Sequence, residues 1–221
     1  MQGPVILAIP VGSCEQHGPH LPLDTDTRIA TALCQGLAEA NDRVLVAPAV
    51  SIGASDEHDG FAGTLSIGTA VLTTVLVELV RSAHWATGVV LVNGHGGNAQ
   101  SVRAAVAKLR DEKRRVTTWA PQSNDLDGDT EFDSHAGNTE TSLMLAIAPQ
   151  SVRMERAEVG LVAPLNSIID KLRLQGVASV SANGVLGDPR TATAAQGHTM
   201  LTHLVGRLVD HVQRESSTWS V

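Results

Sequence analysis

Apolar positions along the chain fall into two rhythms that alternate. Val5–Ile9 is a short aliphatic run ended by Pro10, the pattern of a buried strand. After the polar, glycine-rich stretch Gly12–Asp24, the segment Thr25–Ala40 places Ile29, Leu33 and Leu37 at helical spacing, with Asp24, Thr25 and Asp26 where a helix cap belongs. Val44–Val46 repeats the strand pattern and is again followed by a proline. Ser51–Ser66 is irregular, with Gly53, Gly60 and Gly63, and Ser66–His84 reads as a helix with apolar residues at Ile67, Val71, Val75 and Leu79. Gly88–Val92 is the clearest strand, Ala99–Arg110 a helix and Val116–Trp119 a fourth strand. Strand, loop and helix thus recur without hairpins, which predicts an α/β fold whose mostly parallel sheet is covered by helices on both faces.

Beyond Trp119 the rhythm weakens. Gln122–Glu131 is acidic and reads as a loop, Thr139–Ile147 as a helix and Thr193–His211 as a long closing helix. Val159–Arg190 shows no clear period, and its Gly and Pro residues predict loops able to cover a site. No repeat or linker divides the chain, so residues 1–221 read as a single domain. A chain of 221 residues buries a core without metal staples, so a metal here is expected to be functional. The formal net charge of -7 argues against nucleic acid as a partner. No apolar run is long enough to span a membrane, and the opening MQGPVILAIP lacks the charged segment of a signal peptide. Cys14 and Cys34 form no metal or redox spacing and read as reduced thiols of a cytoplasmic protein.

In parallel α/β sheets ligands collect beyond the carboxyl ends of the strands. Three polar clusters are expected there: EQH at 15–17 with Asp24 and Asp26, NGHGGN at 93–98, and DSHAGNTET at 133–141. Glu15 and His17 alternate on an extended chain, so both point to one face, where a carboxylate and an imidazole can serve one metal or two adjacent ones. Asp26 can return to the same place across a loop stiffened by Pro19 and Pro22. His95 is delivered by the clearest strand and flanked by Gly94, Gly96 and Gly97, which allow close approach of backbone to ligand. Asn98 stands at the cap position of the next helix. The glycine loop matches neither a phosphate loop nor a dinucleotide fingerprint. Glu140 fits the first turn of a helix, which is also its bland explanation. His135 is a natural acid/base group. His58 lies in a loop that could line the pocket, His20 could stand behind the cluster, and His84, His198, His203 and His211 read as surface or helix-end residues. Cys14 reads as packing rather than as a nucleophile.

The runs GSCEQHGPHLPLDTD, DEHDGFAGTLSIG, NGHGGN, HAGNTETS and GVLGDPRTATAAQG, in this order, resemble the creatininase family of amidohydrolases. The resemblance implies a layered α-β-α sandwich, often a homo-oligomer and up to a hexamer, with two divalent metal ions (Fe2+ or Zn2+, with Mn2+ as a further candidate) hydrolysing an amide-type C–N bond. It assigns Glu15, His17, Asp26 and His95 as metal ligands with Asp26 bridging, Glu140 as a fifth ligand or a site carboxylate, and His135 as the group that protonates the leaving amine. His58, Gly96, Gly97 and Asn98 are the expected substrate-binding positions, with backbone amides near Gly96 and Gly97 assisting an oxyanion. Two departures stand out. Creatininase itself carries a glutamate where this chain has Gly97, and the aromatic residue that closes over creatinine has only Phe132 as its nearest counterpart. Within the family, the compact length, the GPHLPLDTDT run and the GHGGN form resemble the branch that removes a modified Val-Tyr piece from the C-terminus of a small precursor peptide during redox-cofactor biosynthesis. A small cyclic amide or a formamide, such as creatinine, is the alternative substrate.

Overall fold

The computed structural model of the chain describes residues 5–122, 125 and 133–219, without the side chains of 165 and 166. Four parallel strands form the sheet: β1 (Ile6–Val11), β2 (Val44–Val46), β3 (Gly88–Asn93) and β4 (Val116–Trp119), in the order β2-β1-β3-β4. Ile6 pairs with Gly88 and Val11 with Asn93 across the central pair. Between them in sequence lie α1 (Thr25–Ala40), α2 (Gly68–Ser82) and α3 (Ala99–Asp111), followed by α4 (Asn138–Ile147), α5 (Leu165–Gln175) and α6 (Ala194–Ser217).

Alternation along the strands divides the interior in two. Ile6 and Ala8 of β1 with Val90 and Val92 of β3 face a core closed by Leu33 and Leu37 of α1, Met144 of α4 and Leu204 and Leu208 of α6. Ile9, Val11, Val89 and Leu91 face the opposite core, closed by Leu72 and Leu76 of α2 and Val102, Ala105 and Leu109 of α3. The α-β-α sandwich expected from the pattern is therefore present, with α1 and α3 on opposite faces. Because the chain leaves β1 for one side of the sheet and returns to β3 on the other, the carboxyl ends of β1 and β3 flank the switch point where such sheets bind ligands.

Several local expectations change. Pro10 does not end β1 but sits inside it. Its carbonyl accepts from Val50 N (2.9 Å), so its missing donor faces the β2 edge, where that three-residue strand has already stopped. Asp24 occupies the N-cap position of α1 without a side-chain capping bond, and its carboxylate instead holds Arg28 Nε at 2.8 Å. In α2 the stripe of Val71, Val75 and Leu79 is the outer one: Val71 is 54% exposed, whereas Leu72, Leu76, Val77 and Val80 are buried. The helix is apolar nearly all round, and the stripe carrying the leucines has the larger surface to bury. Within Val159–Arg190 the chain forms α5, stopped by Gly176 at φ +73. The acidic segment Gln122–Glu131 lies largely, and Phe132 wholly, outside the described residues. Among the described residues no helix is long and apolar enough to cross a membrane.

Candidate metal centre

The loop after β1 delivers Glu15 and His17, the first turn of α1 delivers Asp26, and the end of β3 delivers His95, all buried. Asp26 lies between the two histidines: Oδ1 is 3.1 Å from His17 Nε2 and Oδ2 is 3.2 Å from His95 Nδ1. Ser13 Oγ donates to Oδ2 at 2.7 Å and steadies the carboxylate. Glu15 Oε2 stands 3.0 Å from His95 Nε2, while Oε1 is 3.3 Å from His58 Nε2 and 3.8 Å from His135 Nδ1. Glu140, near the start of α4, places Oε2 3.7 Å from His17 Nε2 and accepts from Ala136 N at 2.6 Å. Among the described residues three donor groups result: Glu15 with Asp26 and His95, His17 with His135 and Glu140, and Glu15 with His58 and His135.

The fit to a cation rests on Glu15. Both its carboxylate oxygens are buried, and the polar groups that face them are the ring nitrogens of His95, His58 and His135, with no hydrogen bond from a backbone or hydroxyl donor. A buried ionised carboxylate left this way costs several kcal/mol unless positive charge faces it. Imidazoles and carboxylates together suit zinc, iron or manganese.

The electrostatics agree. Burial opposes a proton on His17, yet Asp26, Glu140 and Glu15 outweigh it and raise its pKa to about 10. Burial likewise opposes charge on His95, and Glu15 and Asp26 raise it well above its usual value. Burial would raise Asp26, but His17 and His95 hold it well below the ordinary carboxylate range. Burial pushes Glu140 up to about 7, with His17 working against the shift. The carboxylates thus demand positive charge between them, which ring protons or bound cations can supply, and cation binding releases those protons. Farther from Asp26 the balance reverses. Burial, then neighbouring imidazolium charge, lowers His135 to about 3, and burial lowers His58 to about 3 despite Glu15.

A residue passed over as a spacer in the EQH motif orders these rings. Gly18 N donates to Gln16 Oε1 at 2.9 Å, which fixes the amide orientation and turns Nε2 toward His58 Nδ1 (3.0 Å), Gly184 O (3.1 Å) and His135 Nε2 (3.1 Å). His135 Nε2 also lies 2.9 Å from the Gln16 backbone carbonyl, an obligate acceptor, so that nitrogen carries the proton. The two amide protons then go to Gly184 O and His58 Nδ1. His58 consequently presents Nε2–H to Glu15, and His135 keeps Nδ1 as its open nitrogen. A β-bridge to Leu186 holds the His135 backbone in place.

The family model for creatinine amidohydrolase matches residues 1–212. The chain belongs to the creatininase family. A mycofactocin precursor peptide peptidase from Mycolicibacterium smegmatis is 49% identical over 217 residues, covering 96% of this chain and 85% of that protein. The creatinine amidohydrolase of Pseudomonas putida is 30% identical over 242 residues, covering 96% and 90%. A solved structure described as "Creatininase Mn" is similar with a TM-score of 0.79 and 26% identity, over 96% of this chain and 91% of that one. Fold, donor groups and relatives together mark a metal-dependent hydrolase of C–N bonds.

In this creatininase-family chain the remaining expected positions take varied places. Asn98 does not cap α3 through its side chain. Its Oδ1 accepts from Ala54 N (2.8 Å), and its Nδ2 donates to Gly12 O (2.9 Å) and Asn93 Oδ1 (3.2 Å), tying the ends of β1 and β3 together. His58 is no loop-rim residue but is 3% exposed, with both nitrogens engaged inside the cluster. Gly96 is exposed, and open space lies where a Cβ would project. His20 is buried behind the cluster, its Nε2 2.8 Å from Thr141 Oγ1 beside Glu140. Cys14 is half-buried and pairs through its backbone with Leu65, away from any nucleophile arrangement. Asp133, singled out only within its motif, caps α4 by accepting from Asn138 N and, at 3.1 Å, from Thr139 N. An acidic residue followed by a helical pattern is the signal that would have found it.

Proposed function

We propose that this protein is a peptidase that removes the modified C-terminal Val-Tyr-derived dipeptide from the mycofactocin precursor peptide. Asp26 carries the chemical half of this reading: one buried carboxylate stands between His17 and His95, beside Glu15 with its own ring of imidazoles, a donor set that would suit divalent cations. The substrate half comes from the relatives, which share nearly half their residues with this chain over almost its whole length.

Glu15, Asp26 and His95 would hold one divalent ion, and His17, which lies 3.1 Å from Asp26 and 3.7 Å from Glu140, would mark the place of the other, with iron or zinc favoured and manganese a further candidate. Such ions lower the pKa of a bound water and polarise the scissile carbonyl. His135, neutral because of its burial, would hold and move a proton at Nδ1, the leaving amine being its recipient. Gln16 keeps that nitrogen open by holding Nε2 on its own carbonyl. The backbone at Gly96 borders open space and offers amide donors to the carbonyl oxygen. His58 and Asn98, both committed inside the protein, act on the substrate through the shape of the pocket rather than through free polar atoms. Assembly into a homo-oligomer, up to a hexamer, belongs to the same reading, and the exposed Val71–Leu79 stripe supplies an apolar surface for it.

The test is purification under anaerobic conditions, metal analysis, and mass-spectrometric assay of dipeptide release from the modified precursor, with creatinine in parallel. Stoichiometric metal and peptide cleavage are expected. Turnover of creatinine but not of peptide would move the substrate to the small cyclic amides. Retention of both metal and hydrolysis in His95→Ala would overturn the metal assignment.

A further inference from the structure

Gly97 and Glu57 occupy one another's space. A Cβ built on Gly97 would fall well inside 3.0 Å of both Glu57 Oε1 and His95 Nε2, and 2.5 Å from the Ala54 carbonyl oxygen. Position 97 is therefore bare because groups from elsewhere fill the volume, and one of them is a carboxylate. Glu57 Oε1 lies 3.4 Å from His95 Nε2, its only ion-pair partner among the described residues, and its side chain is 22% exposed. The carboxylate is held from behind. Glu57 belongs to the short 3-10 turn Asp56–His58, whose last residue is locked into the cluster by Gln16 and Glu15. Gly176, at φ +73, packs so near that a Cβ on it would come within 2.9 Å of the Glu57 carbonyl oxygen.

Three groups other than Glu57 surround His95 Nε2: Glu15 Oε2 at 3.0 Å, Ala54 O at 3.1 Å and Ser55 Oγ at 3.4 Å. Glu15 belongs to two of the three donor groups and is claimed by a cation there, whereas Glu57 belongs to none and stays available to the ring. A histidine that binds metal through one nitrogen generally donates the other N–H to a carboxylate or carbonyl, which fixes the ring and raises its basicity. His95 has Asp26 at Nδ1, and at Nε2 the Ala54 carbonyl as hydrogen-bond acceptor with the Glu57 carboxylate 3.4 Å away adding the negative charge that raises the ring's basicity.

We propose that Glu57 is the positioning carboxylate of His95, reaching the ring through the space that Gly97 leaves open. It supplies to the centre, from the Asp56–His58 turn, the carboxylate that position 97 lacks. The proposal rests on the metal reading above, and stoichiometric Zn2+ binding by the wild-type chain tests that reading separately.

The test measures Zn2+ affinity of the full chain by competition with a chromophoric chelator, for wild type, Glu57→Gln and Glu57→Asp, with urea unfolding of the metal-free proteins alongside. Glu57→Gln keeps the size of the side chain and is expected to weaken Zn2+ roughly 10-fold or more, with the metal-free unfolding midpoint close to wild type. Glu57→Asp restores the charge and is expected to bind Zn2+ more tightly than Glu57→Gln. Gly97→Ala, whose Cβ displaces both the Glu57 carboxylate and the His95 ring, is expected to weaken Zn2+ more than Glu57→Gln does, with little further loss on adding Glu57→Gln. Wild-type affinity in Glu57→Gln, or equal losses in the Gln and Asp variants, overturns the proposal. If the wild type itself binds no Zn2+, the metal reading fails first.

Discussion

Replacing Gln16 by leucine removes an amide of nearly the same volume and leaves the metal-ligand candidates on either side untouched. The side chain accepts from Gly18 N (2.9 Å) and donates to Gly184 O (3.1 Å) and His58 Nδ1 (3.0 Å). Gln16 is 6% exposed, so the groups it serves are largely beyond the reach of water. A buried polar group deprived of its partner costs about 1–3 kcal/mol. Gly18 is half-buried and can recover a water, so the loss falls on Gly184 and His58, together about 2–6 kcal/mol and centred near 4. Ordinary domains have roughly 5–15 kcal/mol to lose, so the variant folds at room temperature.

The effect on turnover is separable from the effect on stability. His135 keeps its Nε2 bond to the backbone carbonyl of residue 16, which survives the substitution, but His58 loses the donor that holds its proton on Nε2 toward Glu15. Loss of such an outer hydrogen bond typically costs about 10–100-fold. The lower end is expected here, because only one of the two rings is released. The assay is steady-state dipeptide release with metal content measured on the same sample and urea unfolding on the metal-free protein. The expected pattern is a lower urea midpoint, a kcat about 10-fold lower, and unchanged metal stoichiometry. Wild-type kcat with the stability loss would show that the His58 proton is irrelevant to the reaction. Wild-type values of both would refute the hydrogen-bond network itself.

Gly197→Ala tests the contact between α4 and α6, since a Cβ there would fall well inside 3.0 Å of the Ser142 carbonyl oxygen and 3.0 Å from Ala146 Cβ. Overpacking of about 1–3 kcal/mol outweighs a helix-propensity gain of about 1 kcal/mol, so the urea midpoint should fall, and Zn2+ affinity with it because α4 carries Glu140. His211 has its pKa lowered, chiefly by burial, and Thr117 Oγ1 lies 2.9 Å from its Nε2. The unfolded chain therefore takes up a proton below the ordinary histidine pKa of about 6.5 before the folded chain does, and stability falls as pH drops through that range. Thermal melts from pH 7.5 to 5.5 should show a shallower decline in His211→Gln than in wild type, and identical slopes would remove His211 from the pH dependence.

Most of the sheet is legible because β1, β2 and β3 are largely aliphatic runs, and a parallel sheet tolerates little else in its middle. Helix α1 was legible because Ile29, Leu33 and Leu37 all lie on its single apolar face. Helix α2 was found but rotated: with apolar residues all round, spacing alone could not choose between the Val71–Leu79 stripe and the Leu72–Leu76 stripe. Only the opposing surface of α3 decides that. Helix α5 was missed although Ile168, Ile169 and Leu172 are spaced for a helix, because the surrounding Gly and Pro residues drew the reading toward loops. It packs against the Asp56–His58 and Val177–Ser179 turns rather than against the sheet.

The same division runs through the site. Glu15, His17, Asp26, His95, His135 and Glu140 were legible because acids and imidazoles in clusters announce themselves, and the structure brings all of them together. Gln16 was not, since an amide between two such residues looks like a spacer until its four neighbours are seen in space. Glu57 was hidden for a deeper reason. From sequence, Gly97 reads as a missing carboxylate and directs attention to what the chain lost. In three dimensions a glycine is also a volume, and this volume contains Glu57 Oε1, brought from another loop to the same imidazole. A comparison made position by position records such an exchange as a deletion, whereas the chemistry at His95 registers a carboxylate arriving from a different direction. The bare position at 97 and the Glu57 carboxylate share one volume, which is why the paired variants at 57 and 97 should fail to add.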